Sequence, residues 1–133
     1  MMTNISDPSV SSPISNIFQL LGSPARVDIL VAIGHNEACV CHLEAKLGWR
    51  QAYISQHLMA LRKADLLVDR KEGRFVYYRL RDEGILQIIR QVAVFAGKDT
   101  SSIDELANAG PNPSCECPSC APALIPLEGV VLS

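Results

Sequence analysis

Apolar positions recur with helical spacing through most of this chain and change once to a strand-like pattern. Ile17, Phe18, Leu20 and Leu21 predict a short amphipathic helix stopped by Gly22. Ser23 then takes an N-cap position with Pro24 at the first helical position, where proline has no amide hydrogen to waste. Val27, Leu30 and Val31 at i, i+3, i+4, widened by Ile29 and Ile33, carry a core helix as far as Gly34. A third helix is expected over 38–47 on Val40, Leu43 and Leu47, ending at Gly48, and a fourth over 51–64 on Ile54, Leu58 and Leu61. A very short turn separates these two. The pattern then shifts: 66–71 and 75–80 read as strands, because Phe75, Val76, Tyr77 and Tyr78 favour extended backbone, with Glu72, Gly73 and Arg74 as a tight hairpin tip. A last helix, from Asp82 or Glu83 to Ala96, carries Ile85, Ile88, Ile89, Val92 and Phe95 on one stripe and stops near Gly97.

Both flanks lack this periodicity. The first residues are rich in Ser, Pro and Asn, and the stretch after Lys98 in Ser, Asn, Gly and Pro, with a short helix around 103–107 the one exception. The expected organisation is therefore a loose arm over 1–14, one folded domain over 15–97 and a loose tail over 98–133. A chain of 133 residues with 48% hydrophobic content supports one compact core. An aromatic share of 5% favours aliphatic helix packing over a large sheet. The fold class is mainly α with a small β-hairpin.

The formal charge of −2 argues against a nucleic-acid binder until the charges are located. Between Arg50 and Arg81 lie eight of the twelve basic residues against three acids, a local net of +5. Phosphate attraction needs such a concentrated cationic face, not a high overall pI. Helix, tight turn, helix, basic hairpin is the order of a winged helix-turn-helix, which lays its second helix in the major groove and its wing along the neighbouring backbone. On that second helix Gln51, Ser55 and Gln56, with Tyr53 beside them, are the candidate base readers, since Gln pairs bidentately with adenine. Arg50, His57 and Lys63 are placed to reach phosphates. On the wing, Arg70, Lys71 and Arg74 surround a glycine that lets the tip approach the duplex, and such contacts supply affinity without reading sequence. The expected partner is double-stranded operator DNA.

The start has no basic segment followed by an apolar run, and no stretch approaches bilayer-spanning length, so a cytoplasmic protein without membrane contact is expected. In that reducing compartment an odd count of five cysteines reads as metal ligands or reactive thiols, not a disulfide framework. No Ser/His/Asp constellation, phosphate-binding loop or paired-carboxylate motif points to an enzyme.

The run EACVCHLEAKLGWRQAYISQHLMALRKADLLVDRKEGRFVYYRL resembles the metalloregulatory ArsR/SmtB repressors, whose pattern is a Cys-Val-Cys-acid-Leu box, a Ser-x-His-Leu in the recognition helix and an Arg-x-Gly-Arg-x-x-Tyr-Tyr-like wing. With the preceding GSPARVDILVAI helix the likeness covers roughly 15–97. It implies a homodimer on an imperfect palindrome, the first and last core helices forming the interface. Two departures matter: His42 stands where an acid usually follows the second cysteine, and Glu44 where some arsenic-responsive members have a third cysteine. The family's zinc site on the last helix needs Asp and His ligands, and 82–96 contains no histidine, so that site is not expected.

Sensing then falls to thiolates. Cys39 and Cys41 flank Val40 at the start of the first helix of the DNA-reading pair, where N-terminal amides lower thiol pKa. Residues two apart in a regular helix point to nearly opposite sides, so joint chelation requires distortion at that end or closure by another segment. Cys115, Cys117 and Cys120 in the tail are the candidates to complete the site. An all-sulfur site selects Zn(II), Cd(II), Pb(II) or As(III) over magnesium or calcium, and three sulfurs suit arsenic and lead by family analogy. Ligation that strains the first helix would shift its turn and partner helix and release the operator. His35 and His42 lie near the box and read as surface or capping groups, with metal ligation the alternative. Two rival readings stay open: a redox or persulfide sensor that links a core thiol to a tail thiol, and a metal-buffering protein with no operator.

Overall fold

The computed structural model describes residues 10–108. Cys115, Cys117 and Cys120 lie outside that range. The chain order is α1 (Ser11–Leu20), α2 (Pro24–Ile33), β1 (Ala38–Cys39), α3 (Val40–Leu47), α4 (Gln51–Lys63), β2 (Leu67–Glu72), β3 (Phe75–Leu80), α5 (Gly84–Phe95) and α6 (Ser101–Ala107).

Helix α2 is the centre of the packing. Ile29 to Ile33 are all buried, so this helix is apolar on every side there and is surrounded by other elements. Leu43 of α3, Ile54, Leu58 and Leu61 of α4, Leu67 of β2, Leu80 of β3 and Ile85, Leu86 and Ile89 of α5 close around it in one cluster. Ser23 occupies the expected cap position with Pro24 behind it, but its hydroxyl makes no capping bond; its backbone oxygen accepts from Arg26 and Val27 instead. Helix α3 ends at Gly48, whose φ of +73° and ψ of 24° lie in the left-handed region that glycine enters without a Cβ clash, and α4 starts three residues later.

The sheet has the order β1-β3-β2, all antiparallel. Leu67 opposes Leu80 at the core end of the hairpin and Glu72 opposes Phe75 at the tip. The core end is buried while Asp69 to Glu72 are exposed, so the hairpin projects outward as a wing.

Three boundaries differ from the periodicity. Helix α1 begins at Ser11, inside the stretch expected to be loose, because Pro13 sits in its first turn where its missing amide is harmless. Ala38 and Cys39 do not start a helix; they pair with Tyr78 and Tyr77 as a two-residue strand, and α3 begins only at Val40. Helix α6 packs on the body as part of the fold: Ala107 is buried against α2, and Arg90 of α5 pairs with Asp104. The folded part therefore runs past 97.

Candidate DNA interface and thiol site

The buried face of α4 fixes the face it presents outward. With Ile54, Leu58 and Leu61 at zero exposure, Gln51, Gln56, Met59 and Lys63 point to solvent and Ser55 is half-buried between them. Residues four apart stack one above the other on a helix, so Gln51 and Ser55, with Gln56 alongside, form a short polar strip of the kind a major groove accepts. Arg50 is the exposed N-cap residue at its head. Tyr53 lies on the flank, edge-on to Trp49 at 5.5 Å and to His57 at 4.7 Å between ring centroids.

His57 departs from the rest of the group. Both ring nitrogens are shielded and have no hydrogen-bond partner among the described residues. Burial first, then the charge of Arg26, holds its pKa below the ordinary histidine value. A ring with both nitrogens shielded is not poised to meet a phosphate.

On the wing, Lys71 and Arg74 are exposed, the Arg74 guanidinium 5.1 Å from the Phe75 ring centroid. Arg70 is also exposed but heavily engaged. Its Nε and NH2 groups donate to the two carboxylate oxygens of Glu37 at 3.0 and 2.7 Å, and its NH1 donates to Glu72 at 2.8 Å. Its guanidinium also lies 4.6 Å from the centroid of the Tyr77 ring. These bonds raise the pKa of Arg70, Glu37 foremost, and hold the Glu37 carboxyl below its usual range.

The cysteine pair has a geometry the helical rule does not anticipate. Cys39 is at once the last residue of β1 and the N-cap of α3, with extended backbone at φ −89° and ψ 168°. Its Sγ accepts the His42 amide at 3.4 Å. Cys41, two residues on, is in the first turn and half-buried. Cys39 is not helical, and it packs with Tyr77 in one small cluster against which Cys41 and Phe75 also lie.

His42 is half-buried, its pKa lowered by burial and then by Lys46. Lys46 donates to the backbone oxygens of Ala32 at 2.7 Å and Leu106 at 3.0 Å, so α3 is tied to the ends of α2 and α6. His35 is occupied elsewhere, its Nδ1 paired with Glu83 at 2.6 Å. Among the described residues no group of three or more His, Cys, Asp or Glu is placed to hold a metal ion. Both described cysteines are free thiols, Cys39 buried and Cys41 half-buried.

Periodicity missed Glu37, Trp49 and Tyr77 as parts of this region. A two-residue strand has no period to detect, and the opposite charges of Glu37 and Arg70 are joined only by the fold. The lone Trp49 in the turn between two helices was the available signal.

A tight helix pair followed by a basic hairpin over a shared helical core defines a winged helix-turn-helix DNA-reading module. Residues 23–68 match the model of the bacterial regulatory protein arsR family. The arsenical resistance operon repressor of Escherichia coli is 42% identical over 65 residues, 48% of this chain and 56% of that one. A helix-turn-helix transcriptional regulator of Methanocaldococcus jannaschii is 37% identical over 59% of this chain and 89% of its own length. Among solved structures, the transcriptional regulator HlyU of Vibrio vulnificus superposes with a TM-score of 0.58 at 32% identity, covering 64% of this chain and 88% of that one. A homodimeric winged helix-turn-helix DNA-binding domain of Mycobacterium bovis gives 0.59 at 26% identity, covering 72% and 91%. The chain belongs to the ArsR/SmtB family of transcriptional regulators. It spans 45% to 61% of the length of the first curated relatives it matches.

Proposed function

We propose that this chain is a transcriptional repressor that binds operator DNA as a homodimer and lets go when its thiolates capture a thiophilic ion. The observation that carries the reading is the joint packing of Cys39 and Cys41 at the strand-to-helix junction that opens the DNA-reading pair. A ligand drawn to both sulfurs acts on the N-terminus of α3, the helix that immediately precedes the reading helix α4. Cys39 and Cys41 supply two sulfurs, and one or more of Cys115, Cys117 and Cys120 completes the set. Such a donor set takes As(III), Cd(II) or Pb(II), with Zn(II) a weaker match. The arsenical resistance repressor among the relatives supports the metalloid.

Gln51, Tyr53, Ser55 and Gln56 are the base-reading group, and Arg50, Lys63, Lys71 and Arg74 the phosphate group, with Arg70 behind the wing tip. The dimer rests on exposed apolar residues concentrated on two helices: Ile14 and Phe18 of α1, and Ile88, Val92, Val94 and Phe95 of α5. No single described helix is long and apolar enough to cross a membrane, and operator binding places the protein in the cytoplasm.

The test is direct. An operator is selected from a random duplex library with reduced protein, and release is followed by anisotropy as As(III), Cd(II), Pb(II) or Zn(II) is added. The wild type is expected to lose about tenfold or more in operator affinity with its ion. A Cys39→Ser, Cys41→Ser double variant should bind the ion-free operator within about threefold of wild type and ignore the ion. Release of the double variant by the ion overturns the sensing site. Release of wild type by an oxidant or persulfide alone selects the redox reading, and failure to select any operator selects metal buffering.

A further inference from the structure

The cysteine pair and the wing belong to one sheet. Cys39 opposes Tyr77, and Tyr77 opposes Arg70, so the three residues lie in one line across β1, β3 and β2. Cross-strand partners point to the same face of a sheet, and here they touch. The ring of Tyr77, at 1% exposure, packs against Cys39, and the Arg70 guanidinium covers the same ring at 4.6 Å. Glu37, two residues before Cys39, closes the circuit by gripping Arg70 with both carboxylate oxygens. The path runs from Cys39 through Tyr77, Arg70 and Glu37 and back to Cys39.

We infer that Glu37, Arg70 and Tyr77 are positioning residues that transmit ligation at Cys39 and Cys41 to the wing, so that induction moves the wing as well as the helix pair. The inference rests on the thiol-sensor reading above and adds the route by which the site is read. Strand β1 is held by only two rungs, Ala38 on Tyr78 and Cys39 on Tyr77. So short a strand has little stability of its own, and the side-chain circuit is what keeps it in register. A ligand that redirects the Cys39 sulfur removes its hydrogen bond from His42 and its packing on Tyr77. The fork of Arg70 onto Glu37 then loses its platform, and the strand that carries Arg70 and Lys71 is freed to shift against the duplex backbone. A cap lost at α3 acts on α4; the circuit lost at β1 acts on the wing.

The experiment uses the full chain, Glu37→Gln and Arg70→Lys. Glu37→Gln keeps the shape of the side chain and removes the charge that holds the fork. Cd(II) affinity is read from thiolate-to-metal absorption, operator affinity from anisotropy with and without Cd(II), and amide exchange of residues 38 and 39 from ion-free protein. In Glu37→Gln, the Cd(II) affinity of DNA-free protein and the operator affinity of Cd(II)-bound protein should stay within about twofold of wild type, while ion-free operator affinity falls at least about threefold, so that the ratio of operator affinities without and with Cd(II) shrinks by that factor, the scale of an exposed bidentate pair. Exchange at the two amides should quicken. Arg70→Lys, which keeps a positive charge but has no planar fork, should shrink the ratio in the same way. An unchanged ratio in Glu37→Gln overturns the relay. If wild type itself holds the operator with Cd(II) bound, the sensor reading fails separately, and unchanged exchange at residues 38 and 39 then overturns the circuit on its own.

Discussion

At the scale of single residues, this fold places backbone where only one side chain is tolerated. Gly34, just after α2, has φ +59° and ψ −136°, and a Cβ added there would lie 2.9 Å from the backbone oxygen of Ala107 and 3.3 Å from its Cβ. Alanine is penalised twice, by a backbone conformation L residues avoid and by displacement of α6. Gly34→Ala is expected to lower unfolding stability by about 2 kcal/mol, read from urea denaturation, and to speed proteolysis on the C-terminal side of α5. A variant as stable as wild type would mean that α6 does not bear on this glycine. In the sequence Gly34 reads simply as a helix stop, because its neighbour Ala107 sits far along the chain and only the fold brings the two together. The same holds for Cys39. Its spacing to Cys41 was plain, yet its extended backbone goes with the rung it forms with Tyr77.

At the scale of elements, the two parts of the proposed DNA interface should carry different kinds of information, and substitutions separate them. Arg74 stands on the exposed wing tip and Gln56 on the exposed strip of α4. Arg74→Ala should weaken binding to every duplex alike and reduce the slope of log affinity against log salt by about one. Gln56→Ala should leave that slope alone and cost about 1–3 kcal/mol at one base-pair position only. Anisotropy across a salt series and a panel of single-site operator changes reads both, and a sequence-dependent loss for Arg74→Ala would reverse the assignment. The elements that sequence periodicity located well are those with several apolar repeats: α2, α4, β3 and α5 fall within two residues of where spacing put them. The burial of α4 and α5 is periodic, so their sequence is too, while α2 is marked by its unbroken apolar run from Ile29 to Ile33 between Pro24 and Gly34. The start of α1, the strand β1 and the docking of α6 were not legible for physical reasons. The beginning of α1 has no buried residue to mark it. Strand β1 is too short for alternation, and α6 is fastened by Lys46 bonding to a backbone oxygen and by Arg90 pairing with Asp104, neither of which leaves a pattern in its own sequence.

At the scale of the whole molecule, one chain presents one reading helix, whereas a palindrome asks for two at a fixed spacing. The surface points to how the second is supplied. Phe95 is 93% exposed, Phe18 57% and Val92 48%, on helices that flank a cavity of about 420 Å³ lined by Phe18, Leu21, Val31, Ile88 and Val92 among others. Large apolar side chains left in water beside an open apolar cavity are costly in a monomer, and a symmetric partner removes both defects by setting the same patch against itself. A Val92→Asp, Phe95→Glu double variant should therefore fold with unchanged helical content, since both side chains already face solvent, yet sediment as a monomer. Its affinity for a full palindrome should fall roughly a hundredfold or more through loss of the linked second half-site, while binding to an isolated half-site stays near the wild-type level. Sedimentation velocity and anisotropy on full-site and half-site duplexes read the two effects separately. A variant that sediments as a dimer and still grips the palindrome would move the interface off α1 and α5. The spacing of the two reading helices, and with it any release that works by changing that spacing, would then have to be set by another face of the molecule.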